Sequence, residues 1–326
     1  MNIPRICFAN LPTPIEFLPR LSAALGGVRV LVKRDDQTGL AFGGNKTRKL
    51  EYVLAEALAN GAKTLVTVGA AQSNHCRQTA AVAARYNLSC ILVLSGTPPE
   101  SPSGNLLLDE LFGAEIVWCS AGERNEVLKS TFNQAWEDGR RPYLIPLGAS
   151  NATGAVAYTA AFDEMIEQVG SEPPDWIVVA SSSGGTQAGL ALGARHRAFH
   201  GRVLGISVDH PAQELRETVA FLAREAADRI GWQEMLNPDE VMVNDDYLGK
   251  GYGVLGEIER EAVRLFARTE GLLLDPVYTG RAAAGLIDLT RKGFFHSGET
   301  ILFWHTGGTP ALFADGYRDW LHRDEK

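Results

Sequence analysis

The sequence predicts an α/β protein with two open, twisted and mostly parallel sheets flanked by helices. Short apolar runs rich in β-branched residues alternate with helical patterns along almost the whole chain. This alternation is typical of parallel sheets, whose strands are buried on both faces beneath the connecting helices. The chain has 326 residues, 45% of them hydrophobic and 21% charged, and that length favours two such units.

The elements follow from periodicity and from the residues that bound each run. Predicted strands cover residues 28–34, 64–69, 90–96, 114–118, 142–148, 175–180, 203–209 and 300–305. Predicted helices have apolar residues three and four positions apart, and they begin at or just after residues 48, 75, 125, 154, 186, 211, 256, 280 and 310. Because open α/β sheets bind ligands beyond the carboxyl ends of their strands, the joints from strand to helix are where functional residues are expected.

Composition excludes several classes of function. The 31 basic and 39 acidic residues give a net charge of −8, which disfavours a nucleic-acid or anionic-membrane partner. The cysteines are widely separated and form no CxxC pair, so neither zinc nor a disulfide framework is predicted, and no other cluster of metal ligands stands out. The chain shows no secretory signal and no apolar run long enough to span a bilayer. We expect a cytoplasmic protein with reduced thiols.

The segment LAFGGNKTRKLEY places Lys46 at a glycine-led joint that enters a helix. Lys46 could be a solvated cation, a phosphate ligand or a residue that bonds covalently to a ligand. Gly39 and Gly44 have the spacing of a phosphate-binding loop, but Asn45 stands where the lysine should follow and no strand immediately precedes the loop. A nucleotide site of the Walker type is therefore disfavoured. Arg48 is expected to be a solvated residue at the helix start.

A second joint, ASSSGGTQAGL, lies between a clear strand and a clear helix. Its small residues allow backbone N–H groups to surround an anion, and the helix N-terminus adds a partial positive charge. Ser183 or Thr186 could instead simply cap the helix. The order of strand, small-residue loop and helix favours a phosphate site.

Three further joints carry polar side chains at strand ends. The segment QSNH, residues 72–75, follows one strand, and a helix cap by Ser73 or Asn74 is an equally good interpretation. DPVYTG, residues 275–280, and HTGG, residues 305–308, are similar. The segment GKGYGVLGE matches GxGxxG only formally, because no strong strand precedes it, so Tyr252 is the more informative residue.

Together these joints contain a reactive lysine, an anion site and several hydroxyl groups. This set fits a phosphate-bearing cofactor with an electrophilic carbonyl better than a metal. Pyridoxal 5'-phosphate needs such a lysine and a phosphate site at a helix N-terminus.

The ordered segments GGNKTRKLEY, QSNHCRQTAA, SSSGGTQAGL, GYG, LLDPVYTGRAAAGL and LFWHTGGTPALFA resemble the D-cysteine desulfhydrase and 1-aminocyclopropane-1-carboxylate (ACC) deaminase family. The resemblance covers nearly the whole chain. It implies a pyridoxal-phosphate enzyme of the tryptophan-synthase β-subunit type (fold type II). It also implies a large cofactor-binding domain of residues 1–48 and 152–326, a small inserted domain of residues 49–151, and a homodimer.

The resemblance also implies roles for individual residues. Lys46 matches the lysine that bonds to the cofactor and moves protons, and Asn74 matches the residue that hydrogen-bonds the cofactor's phenolic oxygen. The substrate carboxylate would be received by Gln72, Ser73 and His75, and the substrate would be flanked by Tyr252 and Tyr278. The phosphate would be bound by Ser182, Ser183, Gly184, Gly185 and Thr186, with Lys49 beside them.

Two positions bear on the activity. ACC deaminases have a glutamate that faces the pyridine nitrogen where this chain has Thr279, and a leucine where it has Thr306. A threonine hydroxyl leaves that nitrogen unprotonated, which weakens the cofactor as an electron sink. Elimination of a good leaving group tolerates a weak sink better than opening a cyclopropane ring does.

The resemblance therefore favours carbon–sulfur lyase activity on a small amino acid, namely conversion of D-cysteine to pyruvate, sulfide and ammonia. L-Cysteate sulfo-lyase, which would release sulfite, is the first alternative and ACC deaminase the second. An alternative of another class is a non-catalytic binder of a phosphorylated metabolite, but it leaves Lys46 and the two tyrosines without a role.

Overall fold

The computed structural model describes residues 3–322, and it confirms the predicted α/β class with two mostly parallel sheets flanked by helices. The strands are β1 (Ile15–Phe17), β2 (Arg29–Arg34), β3 (Thr64–Ala70), β4 (Ser89–Ser95), β5 (Glu115–Cys119), β6 (Pro142–Leu144), β7 (Trp176–Ser181), β8 (Arg202–Ser207), β9 (Met242–Asn244) and β10 (Thr300–His305). The helices are α1 (Pro19–Ala24), α2 (Asn45–Ala59), α3 (Asn74–Arg85), α4 (Gly104–Leu111), α5 (Arg124–Glu137), α6 (Ala152–Val169), α7 (Gly185–His196), α8 (Ala212–Ile230), α9 (Glu257–Glu270), α10 (Thr279–Arg291) and α11 (Asp315–His322). None of the helices in residues 3–322 is long and apolar enough to cross a membrane.

The larger sheet has six strands in the order β1-β2-β10-β7-β8-β9, with only β1 antiparallel to its neighbour. Successive side chains of β10 enter different cores, as the two-residue period of a strand requires. Ile301 and Phe303 pack with residues of α1, α9 and α10, whereas Leu302 and Trp304 pack with residues of α6 and α7. The sheet is thus buried on both faces, which explains its nearly continuous apolar strands.

The smaller sheet has four parallel strands in the order β5-β4-β3-β6. Leu65 and Leu92 face a core shared with α2, α3 and α4. Val66 and Ile91 point to the opposite face, where they pack with Ala135 of α5. All strands of this sheet lie between Thr64 and Leu144, so its residues form one continuous stretch of the chain.

The predicted domain boundaries at 48/49 and 151/152 stay predictions, and the first of them falls inside α2. This helix contacts both halves of the molecule. Leu50 and Leu54 belong to the core of the smaller sheet, whereas Tyr52 packs with residues of α6 and α8. A rigid helix that crosses the boundary ties the two sheets together.

Several predicted element ends are wrong. The strand predicted for residues 142–148 ends at Leu144, and residues 147–149 form a 3₁₀ turn instead. Pro146 has no N–H to donate to the neighbouring strand β3, and Gly148 has a φ of 67°, outside the extended region. The helix predicted from residue 48 begins at Asn45, which places Lys46 in its first turn. At the C-terminal end, the helix predicted from Pro310 is a 3₁₀ turn (Thr309–Phe313) followed by α11.

Elements β1, α1, α4 and β9 were not predicted from the sequence. Strands β1 and β9 have three residues each and lie at the two edges of the larger sheet, so neither run shows a recognisable period. The short helices α1 and α4 have six and eight residues, which is too short for apolar spacing to identify them.

Candidate active site

A cavity of about 230 Å³ lies beyond the carboxyl ends of β3, β7, β8 and β10, so residues that follow strands of both sheets form its wall. This is the position expected for a ligand site in open α/β sheets. The predicted site residues that line it are Lys46, Ser73, Asn74, His75, Ser182, Ser183, Gly184, Thr186, Tyr252, Tyr278 and Thr306. The predicted residues that do not line it are Lys49, Gln72, Gly185 and Thr279.

Lys46 projects from the first turn of α2 into the cavity. Its amine has no hydrogen-bond or ion-pair partner within residues 3–322, and burial lowers the pKa of Lys46 to about 8. The amine lies close to the backbone of Gly148, since a Cβ atom at that glycine would be 3.4 Å from Nζ. A lysine held this way is neutral far more often than a solvated one and is a competent nucleophile.

The small-residue loop connects β7 to α7. Gly184 has a φ of 79°, a left-handed conformation that turns the chain into the helix. The hydroxyl oxygens of Ser183 and Ser150 are 2.8 Å apart, and the Gly185 N–H donates to Ser150 Oγ at 3.2 Å. The first N–H groups of a helix have no intrahelical partner, so this loop presents hydroxyl and backbone donors together. Its chemistry fits a phosphate group.

Lys49 lies behind this loop rather than in the cavity. Its buried amine donates to Gly148 O at 3.2 Å and to Ser150 Oγ at 3.3 Å. Burial, together with the charge of Lys46, lowers the pKa of Lys49 well below its usual range. A Cβ at Gly185 would be 3.0 Å from the Lys49 amine, so this amine supports the loop from beneath.

The expectation that Arg48 is solvated is wrong. Its side chain is 3% exposed and makes ion pairs of 2.8 Å with both Asp35 and Glu164. Asp35 is fully buried and also accepts hydrogen bonds from Tyr158 and Trp304. The first turn of α2 therefore carries a structural arginine two positions from Lys46.

Helix α3 begins at Asn74, and Ser73 caps it by accepting from the Cys76 N–H at 3.2 Å. His75 is buried, with Nε2 2.9 Å from Thr67 Oγ1, and its Nδ1 has no partner within the described residues. Burial and the charges of Lys46 and Lys49 lower the pKa of His75 well below its usual value, so the ring is neutral.

Gln72 does not face the cavity. Its side chain donates to Ser103 O at 2.9 Å and accepts from the Asn105 N–H at 2.8 Å. These bonds join the end of β3 to the start of α4. Gln72 is thus held away from the region where the resemblance implied substrate contact.

The two threonines occupy different environments. Thr306 directly follows β10 and lines the cavity. Thr279 is fully buried, and its hydroxyl accepts from the Asp275 N–H and donates to Asp275 Oδ1, both at 2.8 Å. Asp275 in turn accepts the N–H groups of Val277, Tyr278 and Thr279. Thr279 therefore helps to form the N-terminus of α10, and Thr306 is the threonine that can contact a ligand.

Tyr252 and Tyr278 meet at the cavity wall, with their hydroxyl oxygens 2.6 Å apart. Gly251 and Gly253 flank Tyr252 with φ values of 112° and 72°, so the loop adopts a conformation that favours glycine on both sides. Burial raises the pKa of Tyr278 well above its usual value. Tyr278 consequently stays protonated near neutral pH and acts through hydrogen bonds.

The cavity-lining or supporting residues that were not predicted from the sequence include Asn45, Arg124, Ser150 and Asp209. Asn45 donates to Thr186 at 3.0 Å, and Asp209 accepts from Ser182 at 3.0 Å. Ser150 lies in a Gly/Ser/Asn-rich loop and Asp209 ends a predicted strand, so the position of each in the sequence could have indicated a site residue. Arg124 begins a helix on the smaller sheet, and nothing in its sequence context pointed to the site.

Comparison with known families decides what kind of site this is. The sequence profile described as pyridoxal-phosphate dependent enzyme matches residues 6–307. The chain belongs to this family. Pyridoxal 5'-phosphate is accordingly its cofactor, as the sequence predicted.

Solved structures agree with the assignment to pyridoxal-phosphate enzymes. A crystal structure of an ACC deaminase homologue is 40% identical, covers 98% of this chain and 96% of that chain, and superposes with a TM-score of 0.89. A pyridoxal 5'-phosphate-dependent aspartate racemase is 20% identical, with coverage of 91% and 90% and a TM-score of 0.64. A hydrogen sulfide-producing enzyme from Fusobacterium nucleatum is 14% identical, with coverage of 92% and 96% and a TM-score of 0.66. The last two show the shared fold alone.

The residues of the cavity fit pyridoxal phosphate. An unpaired amine is available for the covalent bond, the loop after β7 offers donors for a phosphate, and the Asn74 amide and Thr306 hydroxyl can hydrogen-bond ring atoms. The cavity is narrow beside Lys46, because a Cβ at Gly148 would lie 2.4 Å from Ser183 Oγ. The absence of a side chain at this position leaves room for a flat ring.

Proposed function

We propose that the protein is a pyridoxal-phosphate dependent carbon–sulfur lyase that converts D-cysteine and water to pyruvate, sulfide and ammonia. The 40% identical ACC deaminase homologue supports a lyase or deaminase of this kind. The choice between elimination and ring opening rests on groups within the cavity.

Pyridoxal phosphate supplies an electron sink for the pair left behind when the Cα proton of an amino acid is removed. Lys46 has two tasks in the proposal: its amine would hold the cofactor covalently, and Nζ would take the Cα proton of the bound substrate. Its pKa of about 8 suits both tasks, since a useful fraction of the amine is neutral at physiological pH.

Thr306 carries the argument for β-elimination. It lines the cavity at the end of β10, and its neutral hydroxyl would be the hydrogen-bond partner of the cofactor's ring nitrogen. The carboxylate of Asp275 is turned to the N-terminus of α10. Asp209, which does line the cavity, follows β8, two strands from β10 in the sheet and so roughly 10 Å away. A ring nitrogen without a carboxylate partner makes a weak sink, and a thiolate leaving group compensates because it takes the electron pair itself.

The remaining groups bind and orient the substrate in this proposal. Ser73 and Asn74 lie at the N-terminus of α3, where a helix favours a carboxylate. The paired hydroxyls of Tyr252 and Tyr278 contact the substrate from the opposite wall and fix its side chain relative to Lys46.

One substrate panel tests the proposal: D-cysteine, L-cysteine, L-cysteate and ACC, with sulfide, sulfite, pyruvate and 2-oxobutyrate measured in parallel. We expect sulfide and pyruvate from D-cysteine at the highest rate. Lys46→Ala should lose turnover and the visible absorbance of the bound cofactor. Faster formation of 2-oxobutyrate from ACC would overturn the proposal, and a purified protein without bound cofactor or turnover would support a non-catalytic binder.

Arg124 favours L-cysteate as the second candidate substrate. Its guanidinium lines the cavity without a hydrogen-bond or ion-pair partner within residues 3–322, and a sulfonate would neutralise it. If L-cysteate is the substrate, Arg124→Gln should raise the KM for L-cysteate roughly tenfold or more, because a charge-assisted hydrogen bond is lost. The same substitution should leave the KM for D-cysteine nearly unchanged.

A further inference from the structure

We infer that Arg77 and Asn105 are positioning residues that orient the side-chain amide of Asn74, turning its N–H₂ group toward the cavity to donate to the phenolic oxygen of pyridoxal phosphate. The inference rests on the cofactor and is independent of which amino acid the enzyme uses. It concerns two residues that lie outside the cavity and touch no substrate.

Arg77 is fully buried on α3, one turn after Asn74. Its Nη1 donates to Asn74 Oδ1 at 3.1 Å and to Asn105 Oδ1 at 2.9 Å. Its Nη2 donates to the carbonyl of Gly43, in the loop before Lys46, at 2.9 Å. Because a guanidinium has donors but no acceptor, the groups facing it must present oxygen.

Asn105 completes the arrangement from the first turn of α4. Its Oδ1 faces Arg77, so its Nδ2 faces the other way and donates to Asn74 Oδ1 and to Gln72 O, each at 2.9 Å. The Gln72 side chain accepts from the Asn105 N–H and holds this turn in place. Gln72 therefore supports the site from behind.

Asn74 Oδ1 thus accepts two hydrogen bonds, and the amide has only one orientation that satisfies both donors. Its Nδ2 makes no hydrogen bond to the described residues, and a Cβ at Gly308 would lie 2.8 Å from it. An N–H₂ group can only donate, so it recognises an acceptor. The buried charge of Arg77 on the oxygen side polarises the amide and strengthens this donation.

Asn105→Asp tests the inference. The carboxylate keeps an acceptor for Arg77 but removes the N–H that donates to Asn74. It also favours a flipped Asn74 amide, whose N–H₂ group donates to the new carboxylate and whose oxygen points into the cavity. We expect pyridoxal phosphate to bind roughly three- to tenfold more weakly, as the loss of one buried hydrogen bond implies. The pKa of the bound cofactor, read from its visible absorbance, should rise because its anionic form loses a donor.

Arg77→Lys is a second variant. It keeps the charge, but its shorter side chain ends in one nitrogen and cannot reproduce the planar fork that bonds both amides and Gly43 O, so the same two shifts are expected. The control is Thr64→Val, which removes the bond from Thr64 Oγ1 to Arg140 O in the same sheet and touches no residue of the cavity. It should lower the melting temperature without moving either cofactor property. Unchanged cofactor affinity and spectral pKa in both Asn105→Asp and Arg77→Lys would overturn the inference. Neither measurement uses a substrate, so the inference can be confirmed even if the enzyme does not act on D-cysteine.

Discussion

At the scale of single residues, the site depends on which polar groups are left without partners. Most buried charges in this protein are paired, as Arg48 is with Asp35 and Glu164. Lys46 faces the cavity with no ion-pair partner among residues 3–322, and burial alone lowers its pKa. An unpaired buried amine costs stability, which marks Lys46 as a functional group.

The pH dependence of cofactor attachment should follow the Lys46 amine. Only the neutral amine attacks the carbonyl, and lowering the pKa to about 8 brings the neutral form into the accessible range. The rate at which the apo-protein regains its visible band on addition of pyridoxal phosphate should rise with pH and level off above roughly pH 8 to 9. A rate that keeps rising without a plateau until pH 10.5, the usual pKa of lysine, would contradict this expectation.

Thr279 and Thr306 form a matched pair for separating structure from cofactor chemistry. Thr279→Val removes the hydroxyl that bonds to Asp275 and should destabilise the protein by about 1–2 kcal/mol, with little change in the cofactor spectrum. Thr306→Val should do the reverse, shifting the spectrum and lowering kcat while leaving the melting temperature almost unchanged. Thermal melts and absorbance spectra of both variants test these two expectations. A spectral shift in Thr279→Val and a stability loss in Thr306→Val would show instead that Thr279 faces the cofactor.

At the scale of elements, α2 carries the lysine and holds the two sheets together. Its apolar face packs on the smaller sheet, whereas Arg48 binds buried carboxylates on the larger one. The helix is thus anchored on both sides of the cavity. Its periodic apolar residues made the helix predictable, but its true start was missed because a glycine-rich approach shows no period.

Arg48→Met should reveal this anchoring. It leaves Asp35 buried without its main counter-charge, which costs about 3–5 kcal/mol. Arg197→Met is the control, because Arg197 also pairs with an aspartate, at 2.7 Å, but is largely exposed. That pair should contribute about 1 kcal/mol or less. Chemical denaturation of the two variants measures the loss of unfolding free energy. Equal losses would show that the buried ion pairs stabilise the protein no more than the exposed pair does.

At the scale of the whole molecule, the cavity exists only where two separate sheets meet. Asn74 and Lys46 reach it from helices that pack on the smaller sheet, whereas Thr306 and the loop after β7 belong to the larger one. Pyridoxal phosphate would contact both sets, so its binding should stabilise the molecule as a unit.

Adding pyridoxal phosphate to the apo-protein at about a hundred times its dissociation constant should stabilise folding by about 2.7 kcal/mol. For a chain of 326 residues, whose unfolding entropy is about 0.7 kcal/mol/K, that corresponds to roughly 4 °C in melting temperature. Pyridoxal, which lacks the phosphate, is the control and should produce a much smaller shift. An equal shift with pyridoxal would mean that the loop after β7 does not hold the phosphate.

The sequence alone determined the fold class, the positions of most long elements, the cofactor and most of the cavity wall. It could do so because parallel strands have continuous apolar runs and because their functional residues gather at the following joints, both of which are local properties. Lys46, Ser73, Asn74, Ser182 and Thr306 were all found at such joints. Only the tertiary structure decided which of these groups face the cavity and which face each other. The side chains of Gln72 and Thr279 point away from the cavity, and Arg48 is buried. Arg124 lines the cavity from a helix of the smaller sheet. These outcomes could not be predicted, because side-chain direction and burial depend on neighbours far apart in the chain.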